Sequence, residues 1–540
     1  MKKSNFIQGA MIATVSIIIC KILGLIYVIP FYSIIGSKGG ALYSYAYSIY
    51  SIFLSLSTCG IPVAVSRLIS EYNALQEYSI KERIYKMASH IIILIGLVSF
   101  ILIFIFAENI AYMFIGNMQG GNTINEVTIA IRVISVALLV VPQQSILRGY
   151  LEGHKIMTAP SISNIIEQFV RVIIIVVGSY VVVNILHLPK EVAVYVAIFS
   201  ATIAALCSYI YLKVQIKRNK KLFITRDNSS IVMTKKDILK KILMYAIPFV
   251  IIDFVQSLYG IVDSITVVKT LVSIGYTAPV AETAYGVVAT WGAKLNMIVM
   301  SISLGLTTSL VPNLSSSFAK KDFKGVNKNI NESFSLLFFL TIPMSLGISF
   351  LAKPVWTVFY GYDKLCIDIF KIIIIQIIVY GLYTTIINIS QTINNTKLSL
   401  ISLLLSFLAK LLLNSPMMII LKNIGVEGYY GSVVTNFIVE GLTFIIVLLF
   451  IKRKYNFSFK PILISLLKSV VCANIMLLVL YVIKIIIPLN STSRLISIYY
   501  IIIYALIGAP IYIFFAFKLG LINNVFGVNT LKSLIKKFKH

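Results

Sequence analysis

Acid is scarce in this sequence for its length. Nineteen Asp and Glu stand against 47 Lys and Arg in 540 residues, and charged residues of both signs make up only 12%. Soluble domains carry about 25% charged residues, so an ordinary water-facing surface is excluded. Histidine is scarce as well. The four present lie far from one another and from any cysteine, which leaves no ligand spacing and hence no metal site. Five cysteines, Cys20, Cys59, Cys207, Cys366 and Cys472, are odd in number and scattered without a CxxC pair. They read as apolar filling rather than as a disulfide framework. No long polar segment separates the apolar ones, which excludes an inserted soluble domain.

What is there is hydrocarbon: 59% of residues are hydrophobic and the mean hydropathy is +0.94. A helix of about 20 apolar residues crosses the ~30 Å core of a bilayer, and such runs recur from Ile7 to Phe517. They predict an all-α polytopic membrane protein with about fourteen transmembrane helices. The first two fall at 8–35 and 41–66, the fourth at 125–147, the eighth at 283–311 and the last at 462–487 and 495–517.

In a soluble protein a net charge of +28 would suggest nucleic acid. Here the basic residues alternate by loop in the positive-inside pattern. That predicts a multi-pass plasma-membrane protein with both termini cytoplasmic, no nucleic-acid partner, and anionic lipids at the cytoplasmic face. The largest basic cluster runs from Lys213 through Lys217, Arg218, Lys220, Lys221, Arg226, Lys235 and Lys236 to Lys241. The start is expected to be retained, because its apolar stretch is long, carries Lys21 and lacks a small-x-small cleavage site. The tail 519–540 sets Leu531, Leu534, Ile535 and Phe538 against Lys532, Lys536, Lys537 and Lys539, which predicts an amphipathic helix on the inner leaflet.

A weak internal repeat is present. Ala41-Leu42-Tyr43 answers Thr283-Ala284-Tyr285 at an offset of 242, Gly60-Ile61 answers Gly305-Leu306 at 245, and Gly153-His154-Lys155 answers Asn395-Thr396-Lys397 at 242. Similar offsets with the same orientation predict two parallel six-helix lobes. The expected division is an N-terminal lobe with its cytoplasmic loop over 1–226, a C-terminal lobe over 227–451, two further helices over 452–518, and the tail.

In lipid, polar stripes must face protein or water. Tyr43, Ser44, Tyr47, Ser48, Ser51 and Ser55 line one face of the second span, and Gln376, Tyr380, Thr384, Asn388 and Gln391 one face of the tenth. They are candidates for the lining of a hydrated cavity, against simple helix-to-helix hydrogen bonding. Charges deep in spans mark function by default. The basic ones are Lys21, Arg132, Arg171, Lys294, Lys371, Lys410 and Lys468; the acidic ones are Glu167, Asp253, Asp263 and Glu440. Lys21 and Lys294 have no acid within a turn on their own helix and suit an anionic substrate. Arg171 is within i, i+4 pairing distance of Glu167, and Lys371 and Lys468 are placed to snorkel. Asp253 and Asp263 are candidates for ion coupling or for pairing with a buried lysine.

The run from Lys21 to Phe31 (KILGLIYVIPF), then Gly36-Ser-Lys-Gly-Gly-Ala-Leu-Tyr43, then Gly60 to Tyr72 (GIPVAVSRLISEY) resembles the MurJ-type lipid II flippases. These include the YtgP-like and SpoVB-like polysaccharide biosynthesis proteins of the multidrug/oligosaccharidyl-lipid/polysaccharide exporter superfamily. The stretch from Leu304 to Ala319 is similar to the same family's eighth span. The resemblance covers the whole chain. It implies movement of lipid II, an undecaprenyl-diphosphate-linked peptidoglycan precursor, from the inner to the outer leaflet by alternating access of two lobes. It also implies a basic central cavity for the diphosphate, a groove for the lipid tail on the last two spans, and the cell-wall synthesis machinery as a partner. Lys21 and Lys294 fall at or beside basic positions of that family. The second basic residue expected shortly after Gly24 is absent, as is a buried arginine near Leu54; Arg132, Arg171 or Lys410 is the expected substitute.

Other classes fit less well. A flippase for another lipid-linked glycan, of spore cortex or cell surface, is close to the leading reading. A cation-coupled multidrug antiporter would be expected to bury an acid in its first spans, where this chain has Lys21. An enzyme would be expected to place carboxylates on outer loops, but the longest, Ala107 to Asn125, holds only Glu108 and no histidine. No catalytic residue and no cofactor is expected.

Overall fold

A computed structural model describes residues 6–58, 60–116, 118–219, 223, 233–393 and 395–522. Lys220, Lys221, Arg226, Cys59 and the amphipathic stripe of the tail lie outside the described residues. Among those described, all regular structure is helical. The helices are α1 (Phe6–Ile26), α2 (Val28–Thr58), α3 (Gly60–Ala74), α4 (Tyr78–Ile115), α5 (Ile124–Ser135), α6 (Val141–Gly153), α7 (Thr158–Ile173), α8 (Lys190–Arg218) and α9 (Lys235–Ser273). They continue with α10 (Ala278–Gly286), α11 (Gly292–Ala319), α12 (Phe323–Phe350), α13 (Ala352–Tyr360), α14 (Lys364–Thr392), α15 (Thr396–Asn423), α16 (Gly431–Tyr455), α17 (Lys460–Ile486) and α18 (Arg494–Lys518).

Twelve segments among the described residues are long and apolar enough to cross a bilayer. The apolar stretch Ile12–Ile26 of α1 and the α10–α11 run bring the number to the expected fourteen. Helix α2 is broken at Gly36, whose φ of 68° and ψ of −170° belong to a conformation that glycine takes without a Cβ penalty. The first span therefore runs through α1 into Ile35, and the second starts beyond Gly36. The fourth span was expected to stop at residue 147; it continues through a 3₁₀ turn at Val136–Leu139 and α6 to Gly153.

By contact the chain divides into two compact units, Met1–Gly286 and Val287–His540. The boundary lies inside the α10–α11 run and not in the basic loop, because α9 packs along α2, α3 and α4, and α10 packs on α2 and α9. The α3–α9 approach needs glycine: a Cβ on Gly60 would stand 2.6 Å from the carbonyl oxygen of Ala246, a small-residue contact of the kind that lets membrane helices meet backbone to backbone. Leu68, Ile84, Ala88, Leu151 and Ile242 fill the apolar core between α3, α4, α6 and α9. At one end of this core the Arg67 guanidinium lies 4.4 Å from the Tyr245 ring centre, and Lys241 donates to the Tyr72 hydroxyl. Helix α9 begins with a capping box, in which Thr234 and Asp237 satisfy each other's backbone N–H.

In the second unit α12 packs against α11, α14 and α17, while α16 packs against α14 and α15. The last two helices pair with each other, and α13 leans on α18. Trp356 of α13 packs against Tyr360 of the same helix and Phe370 of α14.

Candidate functional site

The densest charge in the first unit gathers where α6, α7 and α8 meet. One turn of α6 carries Gln144 and Arg148; three successive turns of α7 carry Ser163, Glu167 and Arg171. These i, i+4 spacings put each set on one face. Glu167 is the hub. Its Oε1 accepts from Arg171 Nη2 at 2.6 Å; its Oε2 accepts from Arg148 Nη2 and Gln144 Nε2, both at 2.8 Å. Arg148 Nε also donates to Ser163 Oγ at 2.8 Å, and its Nη2 to Ser208 Oγ at 3.2 Å. Two guanidinium groups share one carboxylate, so the triad has a net charge of +1.

The three side chains are part-buried, with Arg148 20%, Glu167 15% and Arg171 23% exposed. Arg171 Nε is buried and has no hydrogen-bond partner among the described residues. The tyrosines of α2 lie within electrostatic range of its guanidinium. Tyr43 and Tyr47 are stacked at 4.3 Å, and Tyr50 meets Tyr47 edge-on. Helix α1 packs on α7; Cys20 is within electrostatic range of all three triad members, and Lys21 is the next residue. Directly after Ile173 the helix widens into π turns at Ile174–Gly178 and Val181–Ile185, a feature frequent at functional sites.

Lys294 sits in the second unit in a related setting. A π turn, Val287–Trp291, precedes it, and its Nζ lies 4.7 Å from the Trp291 ring centre. Tyr360 locks that turn by donating to the Trp291 carbonyl at 2.8 Å. Deeper in the same unit Gln376 on α14 donates to Glu440 on α16, and both are buried. Tyr380 and Tyr383 are within electrostatic range of Glu440, and the hydroxyls of Ser406 and Thr443 meet beside it. Lys410, 1% exposed, and Asn414 are sealed on α15.

The other expected residues are dispersed. Arg132 turns to α4, lying over the Phe104 ring and donating to the Phe104 carbonyl. Lys371 pairs with Asp368 at 3.0 Å and is about half exposed. Asp263 is buried and Asp253 half-buried on α9. The serine stripe of α2 turns inward on its own helix: Ser44, Ser48, Ser51 and Ser55 donate to carbonyls three or four residues earlier. Thr384 on α14 does the same to Gly381, and Asn388 is half-buried.

Two groups went unread in the sequence. Arg148 sits one residue past the expected end of the fourth span, outside the set of deep charges; its i+4 spacing from Gln144 is the local signal available. The second is a clasp at the end of the first unit where α5 and α8 begin. Glu282 on α10, 2% exposed, accepts from the backbone N–H of Asn122 at 3.0 Å and from its Nδ2 at 2.9 Å. Asn122 Nδ2 also donates to the Lys38 carbonyl, and Lys38 Nζ bridges Glu126 and Glu191 at 3.2 Å each. The stacked pair Tyr45 and Tyr285, 4.7 Å apart, likewise joins α2 to α10. Partners 160 residues apart leave no local trace.

Long apolar helices with part-buried charge and tyrosine-faced polar clusters describe a multi-pass membrane protein. The chain belongs to the polysaccharide biosynthesis protein family, whose profile matches residues 6–318. A second profile, MatE, matches residues 248–415. The chain is 28% identical over 99% of both lengths to the lipid II flippase MurJ of Bacillus subtilis (strain 168). It is 24% identical to the stage V sporulation protein B of the same organism, over 67% of this chain and 68% of that one. Among solved structures, a lipid II flippase MurJ in an inward closed conformation matches with a TM-score of 0.66 and 16% identity, over 94% of this chain and 99% of that one. An inward-facing multidrug resistance MATE family transporter also reaches a TM-score of 0.66, at 12% identity, over 81% of this chain and 94% of that one. These two matches establish the fold.

Proposed function

We propose that this protein is a flippase for a lipid-linked diphosphate glycan, with lipid II as its substrate, working by alternating access across the bacterial plasma membrane. The observation that carries this reading is the relation to the lipid II flippase of B. subtilis over essentially the whole of both chains, beside a part-buried cluster of net positive charge. Transport of this kind needs no covalent chemistry. The diphosphate is held by charge-assisted contacts to basic side chains, for which Lys21, Arg171 and Lys294 are the assigned residues. The lipid tail rests along α17, where Leu346, Phe350, Leu477, Leu478 and Tyr481 line a groove. Both termini are cytoplasmic, and Asp253 and Asp263 on α9 are the assigned sites for coupling to an ion.

The test is the accessibility of lipid II in the outer leaflet of cells depleted of their own flippase. Wild type should restore it, and an equally expressed Lys21→Ala, Lys294→Ala double variant should not. Failure of a correctly inserted wild type would overturn lipid II as the substrate. The relation to stage V sporulation protein B then makes another lipid-linked glycan the next reading.

A further inference from the structure

We propose that Arg148, Glu167 and Arg171 form an anion-exchange site, in which Arg171 leaves Glu167 to take a phosphate-type oxyanion while Arg148 and Gln144 keep Glu167 satisfied. The reading of the ligand as a lipid-linked diphosphate rests on the proposed function above; the exchange itself rests on geometry.

A buried guanidinium paired to a single carboxylate is poorly suited to bind and release a ligand. Removing it strands the carboxylate, and breaking a buried pair in that way is strongly destabilising. Glu167 is not in that position. When the 2.6 Å contact from Arg171 is lost, Oε2 still receives Arg148 and Gln144 at 2.8 Å. Arg148 is itself fixed from behind by Ser163 and Ser208, so it is held in place and does not follow Arg171. Arg171 differs from it in every respect that matters for exchange. Among the described residues one hydrogen bond ties it and its Nε is a buried donor with no partner, and the helix turns from α to π at Ile174, directly beyond it. A guanidinium with unused donors matches the tetrahedral oxygens of a phosphate, which it binds in bidentate fashion. The net charge of +1 supplies attraction without the permanent capture that two free arginines would bring. Arg148 is then a positioning residue and Arg171 the binding one.

This assignment gives opposite signs to changes at the two partners of one carboxylate. With Arg148→Gln, Glu167 has only Arg171 left as an ionic partner and holds it. With Glu167→Gln, both arginines are freed. The experiment measures binding of a polyprenyl diphosphate and of inorganic diphosphate to full-length protein in lipid nanodiscs, together with the melting temperature with and without each probe. Arg148→Gln should weaken binding about tenfold and Glu167→Gln should tighten it by a similar factor. The double variant should return toward wild type, and Arg171→Gln should abolish the dependence. Glu167→Gln should melt lower when empty and regain more than wild type does on adding ligand, because the ligand replaces the missing negative charge.

Binding that falls equally in Arg148→Gln and Glu167→Gln, in step with their melting temperatures, would show a purely structural triad and overturn the proposal. Polyprenyl diphosphate binding insensitive to all three residues would overturn the exchange site and leave the proposed function standing. Triad-dependent binding of inorganic diphosphate alone would support the site while counting against a lipid-linked ligand. Binding of neither probe by wild type would overturn the proposal.

Discussion

Two polar clusters, one in each unit, handle buried charge differently. In the first, Arg148, Glu167 and Arg171 are between 15% and 23% exposed and are held by one another. In the second, Lys410, Asn414, Gln376 and Glu440 are all 7% exposed or less, and Glu440 accepts a hydrogen bond from the neutral amide of Gln376. A charge in lipid surroundings must be paired, hydrated or neutralised. The first cluster keeps its ions paired and partly exposed, and the second walls its polar groups between α14, α15 and α16. Reachability, more than the number of charges, separates a candidate binding cluster from a structural one.

The sharpest way to break this comparison is Glu167→Leu, which leaves two guanidinium groups without their shared anion. It should cost about 3–5 kcal/mol, seen as a large drop in melting temperature that diphosphate partly reverses. Glu440→Leu in the second unit should cost about 1–3 kcal/mol, the penalty for leaving the Gln376 donor unsatisfied, and no diphosphate should restore it. If ligand rescues both variants equally, the contrast between reachable and sealed clusters fails.

Glu282→Gln replaces the carboxyl group that accepts from two donors of Asn122. A loss of about 0.5–1.5 kcal/mol is expected, with faster hydrogen exchange at the Asn122 amide and an unchanged response to diphosphate. The smallest effect belongs to Asp237, which lies ahead of the membrane-crossing part of α9. Hydrogen bonds from the Thr234 hydroxyl and backbone hold its carboxyl below the ordinary carboxylate range. A depressed folded pKa means that the cap contributes above the unfolded value of about 4 and is lost as pH falls through the lower folded value. Amide exchange over residues 235–238 should therefore quicken only in that acid window, and Asp237→Asn should remove the pH dependence.

Much of the architecture was legible because the bilayer imposes it. Hydropathy located about fourteen spans, whereas the break at Gly36 between the first two was seen only in the structure. The Glu167–Arg171 pair could be read from its i, i+4 spacing on one helix. Arg148 was less legible, because the apolar run ends before it, whereas α6 continues for about another turn and a half to Gly153 on its own backbone hydrogen bonds. The serine stripe of α2 shows the converse. Its spacing matched a cavity wall, yet each hydroxyl returns to its own helix, a choice that spacing does not encode.

From its sequence alone this protein is an all-helical membrane protein, with its spans in place and its charges confined to loops and a few deep positions. Transfer into hydrocarbon penalises every polar group locally, so the pattern is written residue by residue. Which deep charges meet was decided by tertiary structure: Glu167 with two arginines from two helices, Glu440 with Gln376, and Glu282 with an asparagine 160 residues away. Those pairings depend on how helices cross, and a crossing is set by the packing of whole faces, with glycines such as Gly60 where backbones touch.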